Sequence, residues 1–244
     1  SRMIWCGYMS DRRSEWFVPS FGPERFRVAV GLLFLPYTGM VLSFTVIGSM
    51  LAPTVHWDRV AAIVLIYFLG LGIGAHALDA VGGRGARPWG EMFSRSQLWG
   101  LAIVSLVGAY SIALWYMVRD TPLLWLIAIP EGFFLLAYNL EWFGGRFHRD
   151  AWFALSWGAL PVLAGYVLQT NAISASAVVV AVAMALLSLV EIRASRPYKD
   201  LKRAMANGRT AEAAHAGHLE GILKSLSAGV IVLGVGLLAF RLWG

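Results

Sequence analysis

His76 and Asp79, two side chains able to share a metal ion or a proton, stand three residues apart in the run Gly70-Leu-Gly-Ile-Gly-Ala-His-Ala-Leu-Asp79. On a helix that spacing puts both on one face. An imidazole beside a carboxylate suits Zn, Fe or Mn, whereas Mg prefers oxygen ligands alone. The same pair also serves simply to orient a helix end by hydrogen bonding. Gly70, Gly72 and Gly74 permit close approach by a neighbouring helix or a ligand. The next loop, Gly82-Gly-Arg-Gly-Ala-Arg-Pro88, offers backbone N–H groups, Arg84 and Arg87 to a phosphate or diphosphate. It is equally readable as a flexible basic loop on anionic lipid headgroups.

Glu131 raises a different question. It comes directly after Pro130 in the middle of an apolar run that carries no Lys or Arg. A carboxyl at that depth is expected to face the bundle interior, be protonated, or bind a metal or polar ligand. The alternative is a neutral carboxyl donating one interhelical hydrogen bond. Tyr138 lies seven residues on, nearly on the same face, with Asn139 next to it. Gly144-Gly145 then break the helix, so Glu141, Arg146, His148 and Asp150 crowd together at its end. Asp150 could instead cap the next helix. Glu191 closes a later run and precedes Arg193, Ser195 and Arg196. Glu212-Ala-Ala-His215 has the spacing that puts two ligands on one face in di-iron carboxylate bundles, and also that of an ordinary interfacial amphipathic turn. The chain holds no Ser-His-Asp arrangement and no nucleotide fingerprint. Its one cysteine, Cys6, excludes an intramolecular disulfide and a thiolate metal cage.

These residues must be positioned by apolar helices. The chain has 244 residues, of which 58% are hydrophobic and 14% charged, against about 25% charged in a soluble domain. Its mean hydropathy is +0.65. Seven runs are long enough to span a bilayer: roughly Phe26–Leu51, Arg59–Leu78, Gln97–Val118, Leu123–Phe143, Trp152–Leu168, Ala172–Ile192 and Ile222–Trp243. They predict an all-α polytopic transmembrane bundle over residues 26–244, preceded by a cytoplasmic or interfacial segment over 1–25.

The net charge of +6 could suggest nucleic acid, but the positions of the cations argue for topology. Sixteen of the twenty Lys and Arg residues fall before the first run or between runs two and three, four and five, or six and seven. Arg59, Arg119 and Arg241 fall on the other side, and Lys224 opens the last run. The positive-inside rule then puts the N-terminus in the cytoplasm and the C-terminus outside, with the chain multi-pass in the cell (inner) membrane. Trp57, Trp89, Trp99, Trp142, Trp152 and Trp243 lie near run ends, as interfacial anchors do.

The layout resembles the UbiA superfamily of intramembrane prenyltransferases. That family carries an Asp-rich motif after its second helix with Arg-Pro a few residues on. Here Ala75-His76-Ala77-Leu78-Asp79, Gly83 and Arg87-Pro88 occupy the equivalent place. Tyr138 stands where the family has a Tyr-x-x-x-Lys signal, with Trp142 in place of the Lys. The stretch Pro161 to Gly165 is similar to the family's fifth helix. Its second Asp-rich motif falls where this chain has Glu191 and Ser195. The resemblance implies a cavity open to lipid, with a polar, metal-binding cytoplasmic mouth.

Two functional expectations arise from these residues and the resemblance. As a prenyltransferase-like or other metal-dependent lipid-modifying enzyme, the chain would use Asp79, His76, Glu131 and Tyr138 as catalytic residues. Arg84, Arg87, Asn139, Arg146 and Arg196 would bind an isoprenoid or other lipid substrate. Mg would serve prenyl transfer. Fe, Mn or Zn would suit a His/Glu set drawn from His76, Asp79, Glu141, His148, Asp150, Glu191, Glu212 and His215. As a non-catalytic scaffold, the chain would bind lipid or join membrane-protein partners in a larger complex.

Overall fold

The computed structural model of the chain describes residues 15–82, 92–206 and 212–244, and among these every regular element is a helix. Arg84, Arg87 and the loop that carries them lie outside the described residues. The bundle opens with a bent pair, α1 (Glu24–Leu32) and α2 (Leu35–Met50), meeting at 41°. Six single helices come next, each long and apolar enough to cross a membrane: α3 (Trp57–Gly82), α4 (Arg95–Arg119), α5 (Pro122–Asn139), α6 (Asp150–Thr170), α7 (Ala175–Met205) and α8 (Ala213–Trp243). Counting the bent pair as one unit, these correspond one to one with the seven apolar runs.

Such runs become helices because a helix satisfies its own backbone groups, which hydrocarbon cannot do. Their outward faces stay apolar: Val104, Val107, Ile129, Val179, Leu186 and Val235 are all exposed. Where the chain turns, polar side chains take over. Ser94 Oγ accepts from the Gln97 N–H at 3.2 Å while Gln97 Oε1 accepts from the Ser94 N–H at 2.8 Å, a reciprocal cap that starts α4. α6 stops at Asn171, whose left-handed conformation (φ +47°) ends the helix.

Two stretches depart from α geometry. Phe68–Ala75 in α3 and Leu155–Ala159 in α6 are wound as π-helix. Each wider turn rotates the residues after it, a device common beside functional sites. The first ends immediately before His76, and the second contains Trp157. Pro161, which cannot donate a backbone hydrogen bond, lies two residues beyond the second.

The core is built around α2, which packs on α6 and α8. The α2–α6 crossing is a backbone contact. A Cβ at Gly48 would strike the Val162 carbonyl oxygen, and one at Gly165 would strike that of Thr45. Phe44, Met40 and Val162 are buried in one apolar cluster, and Ile63, Leu71 and Leu168 in a second.

α7 is longer than its apolar run predicts. It extends for 31 residues, about 46 Å at 1.5 Å per residue, against about 30 Å of hydrocarbon. The helix does not stop with the apolar run at Ile192 but continues through Pro197. Its last turns reach beyond the apolar slab and carry charge.

Candidate functional site

At the arginine-rich end of the bundle lies a cleft of about 410 Å³, within the range typical of small-molecule sites. Phe34 and Tyr37 at the start of α2, His76 and Asp79 from α3, and Tyr138 and Asn139 from the end of α5 line it. So do His148, Phe153 and Trp157 around the start of α6, and a stripe along α7 from Glu191 to Arg203. The last turns of α3 are α-helical after the π stretch, so His76 and Asp79 do share a face.

The α7 stripe repeats every three to four residues: Glu191, Ser195, Lys199 on one row, with Arg196, Asp200 and Arg203 beside it. Glu191 is 4% exposed, and its Oε1 is shielded from solvent without a hydrogen bond. Ser195 Oγ accepts a hydrogen bond from the Tyr37 hydroxyl at 2.9 Å, tying α2 to α7. Lys199 Nζ lies 5.3 Å from the Phe34 ring centre and 5.9 Å from that of Tyr37. Arg196 is held from the far side: its Nη1 is 3.0 Å from Asp150 Oδ1, an ion pair without hydrogen-bond alignment, and its Nη2 donates to the His148 carbonyl at 3.5 Å.

Aromatic rings form one wall. Tyr138 stacks on His148 with centroids 4.3 Å apart, and sits 5.1 Å from Trp157, which in turn stacks on Phe153 at 5.2 Å. His148 Nδ1 lies 3.1 Å from the Tyr138 carbonyl, within hydrogen-bond reach. His76 stacks on Phe34 at 5.1 Å, with its Nε2 3.5 Å from Thr38 Oγ1. Phe34 itself has φ +45°, ψ 55°, a left-handed conformation for a bulky residue at the break between α1 and α2. Such strain tends to collect at functional positions.

The structure therefore brings together His76, Asp79, Tyr138, Asn139, His148, Glu191 and Arg196. Among the described residues, the other expected ones are not part of the cleft lining. Asp150 is engaged by Arg196 and, at 3.9 Å, by Arg193, so it orients a cation. Glu141, at φ +51°, and exposed Arg146 sit in the left-handed turn after α5, where Phe143, Gly144 and Gly145 also have positive φ. Glu212 precedes α8 and His215 is exposed in its first turns. Glu220, farther along, joins a network instead: Tyr198 Oη is 3.0 Å from both Glu15 and Glu220, and Lys224 donates to Glu220 at 2.6 Å. Glu131 lines a separate cavity within the bundle.

Sequence reasoning misses Lys199, Asp200 and Arg203, because the apolar run ends at Ile192 and Pro197 follows it. The three-to-four spacing running through that proline is the available signal. Among the described residues, no group of three or more His, Cys, Asp or Glu side chains is assembled to hold a metal ion. Set against known proteins, the chain matches no family model, no curated protein and no solved structure.

Proposed function

We propose that the chain is a divergent UbiA-like protein of the cell membrane, with the cleft at its cytoplasmic face. The cleft would receive the anionic head of an isoprenoid or other lipid and support prenyl transfer or another metal-dependent modification of it. The observation that carries this reading is the buried, unpartnered oxygen of Glu191 in a cleft that also presents Asp79, Arg196, Lys199 and Arg203. A buried polar atom without a partner is costly unless a ligand supplies one. The places where the resemblance puts its two metal-binding motifs correspond to Asp79 and Glu191, and both line this cleft.

Asp79 and Glu191 are the cleft carboxylates that could each offer an oxygen to Mg²⁺, which takes one or two carboxylates and completes its shell with water and substrate phosphate oxygens. When bound, such an ion supplies charge neutralisation to a diphosphate. The His/Glu alternative is less supported, since Glu141, Glu212 and His215 lie off the cleft lining.

The chain's own residues supply the rest. Arg196, Lys199 and Arg203 bind and orient the diphosphate, Arg196 pre-set by Asp150. As the allylic C–O bond breaks, its electron pair leaves with the diphosphate oxygen, where these cations stabilise the growing negative charge. The carbon bonds to the electron pair of a nucleophilic acceptor, which releases a proton to water or the diphosphate. Tyr138 and Trp157 offer ring faces to the positive carbon. The aromatic wall also excludes water from it.

Farnesyl diphosphate and farnesol, titrated against the purified protein with and without Mg²⁺, test the reading. The diphosphate is expected to bind at least about tenfold more tightly, as charge-assisted contacts to a phosphate allow. Asp79→Ala and Arg196→Ala should each erode that preference. Equal affinity for the two probes would overturn headgroup recognition. Binding without transfer to any acceptor would leave the lipid-binding, non-catalytic role.

A further inference from the structure

A second carboxyl lies in the apolar middle of the bundle, away from the cleft. Glu131 is seven residues before Tyr138 on α5, about 10 Å along the helix axis. Both its carboxyl oxygens are shielded, and neither makes a hydrogen bond. The group enters a cavity of about 60 Å³, roughly the space of two waters. Ile63, Tyr67, Leu71, Leu106, Tyr110 and Ile127 are among its walls, and none of the lining residues is Lys, Arg or His.

Beside it, a groove of about 320 Å³ opens on the outer face of the bundle between α4 and α5, among the exposed side chains of Trp125, Ile129 and Phe133. The two spaces share Leu106, Tyr110, Ala128 and Leu135 as walls. Tyr110 stands between them. Its hydroxyl donates to the Ala128 carbonyl at 3.0 Å, and it lies so close over Gly132 that a Cβ there would strike it. That phenol is thus committed to the backbone, and the protein leaves Glu131 for something else to satisfy.

We infer that this is a binding site for a membrane-dissolved amine, a molecule with an apolar tail and one protonated nitrogen. The site is distinct from the cleft and does not depend on the cleft's function. A carboxylate at this depth needs both a donor and a balancing charge. An ammonium supplies both, and the rings of Tyr67 and Tyr110 beside it favour a cation. The small cavity accepts the head while the apolar groove takes the tail. A neutral alcohol would supply a hydrogen bond without the charge.

The test uses N,N-dimethyldodecylamine as the ligand probe and dicyclohexylcarbodiimide as the reporter. The carboxyl oxygen adds to the carbodiimide carbon, and the adduct rearranges to a stable N-acylurea, read by mass spectrometry as a label on Glu131. A tertiary amine cannot couple to the activated acid. The protein in lipid nanodiscs is expected to label at Glu131, and saturating amine should slow labelling about tenfold or more, with dodecanol at the same concentration having little effect. Glu131→Gln should lose the label at that position and bind the amine about 10- to 100-fold more weakly. No labelling, no protection by the amine, or equal protection by dodecanol would each overturn the proposal. The wild-type protection measurement decides the matter even if the variant fails to fold.

Discussion

The two ends of the bundle treat their polar side chains in opposite ways. At the end away from the cleft, several of those side chains are hydrogen-bonded to backbone groups. Arg59 donates to the Leu168 and Gln169 carbonyls at 3.1 and 3.2 Å, closing the end of α6. The Gln169 side chain accepts from the His56 N–H at 2.7 Å and donates to the His56 carbonyl at 3.2 Å. Asn171 accepts from the Leu123 N–H at 2.9 Å, and Arg241 donates to the Met50 and Ala52 carbonyls at 2.6 to 3.1 Å. Cations on the last carbonyls of helices are favoured by hydrogen bonding and by the helix dipole. At the cleft end, charged groups instead share an open volume, a buried Glu191 oxygen has no partner, and Phe34 is held in a left-handed conformation. One end is arranged for stability. The other tolerates unfavourable groups, which is what a binding site requires.

The two ends should respond in opposite ways when a polar side chain is replaced by an apolar one. The largest effect is expected at the closed end. Arg241→Met removes three charge-assisted hydrogen bonds and should cost about 2–3 kcal/mol, seen as a lower melting temperature in a fixed detergent. Farnesyl diphosphate affinity should not change. At the cleft the sign reverses. Glu191→Leu exchanges a buried, partly unsatisfied carboxyl for an apolar side chain and should stabilise the protein by about 1–2 kcal/mol. The same change should weaken diphosphate binding. A loss of stability in Glu191→Leu would break the comparison, because it would make Glu191 a structural residue like Arg241.

Arg196→Met sharpens it further. The Arg196–Asp150 pair is partly exposed, at 41% and 31% of the two side chains, so its loss should change stability by less than about 1 kcal/mol. Diphosphate affinity should nevertheless fall about tenfold, since a phosphate contact through Arg is charge-assisted. A large melting shift without an affinity change would mean that Arg196 braces α6 against α7 and does not bind the headgroup.

Much of this division is legible in the sequence, for reasons that differ by residue. Runs of about twenty apolar residues have one outcome in a bilayer, so the seven units can be read directly. The pairing of His76 with Asp79 is also legible, because i and i+3 lie together on any α-helix. What the local pattern cannot convey is which helix ends converge. Glu191 and His148 meet Asp79 only through packing, and Asp150 could be a cap, a ligand or an ion-pair partner until Arg196 is placed beside it. The π turns at Phe68–Ala75 and Leu155–Ala159 leave no periodic trace. The end of the apolar run at Ile192 misleads in the other direction: it hides Lys199, Asp200 and Arg203 on a helix that continues through Pro197. The charge asymmetry marks Arg59 and Arg241 as exceptions without revealing that both reach carbonyls at helix ends.

The smallest effect tests whether capping, and not charge alone, explains those exceptions. Arg119, the third cation at the closed end, lies over the exposed ring of Trp115 at 4.5 Å. A cation–π contact at an exposed site is worth about 0.5–1 kcal/mol, so Arg119→Ala should shift the melting temperature far less than Arg241→Met. Equal losses in the two variants would mean that the closed end needs its positive charge as such, for example against lipid headgroups. A small loss beside a large one would assign the stability to the carbonyls that Arg241 holds, and would make the closed end a set of helix caps that happen to be charged.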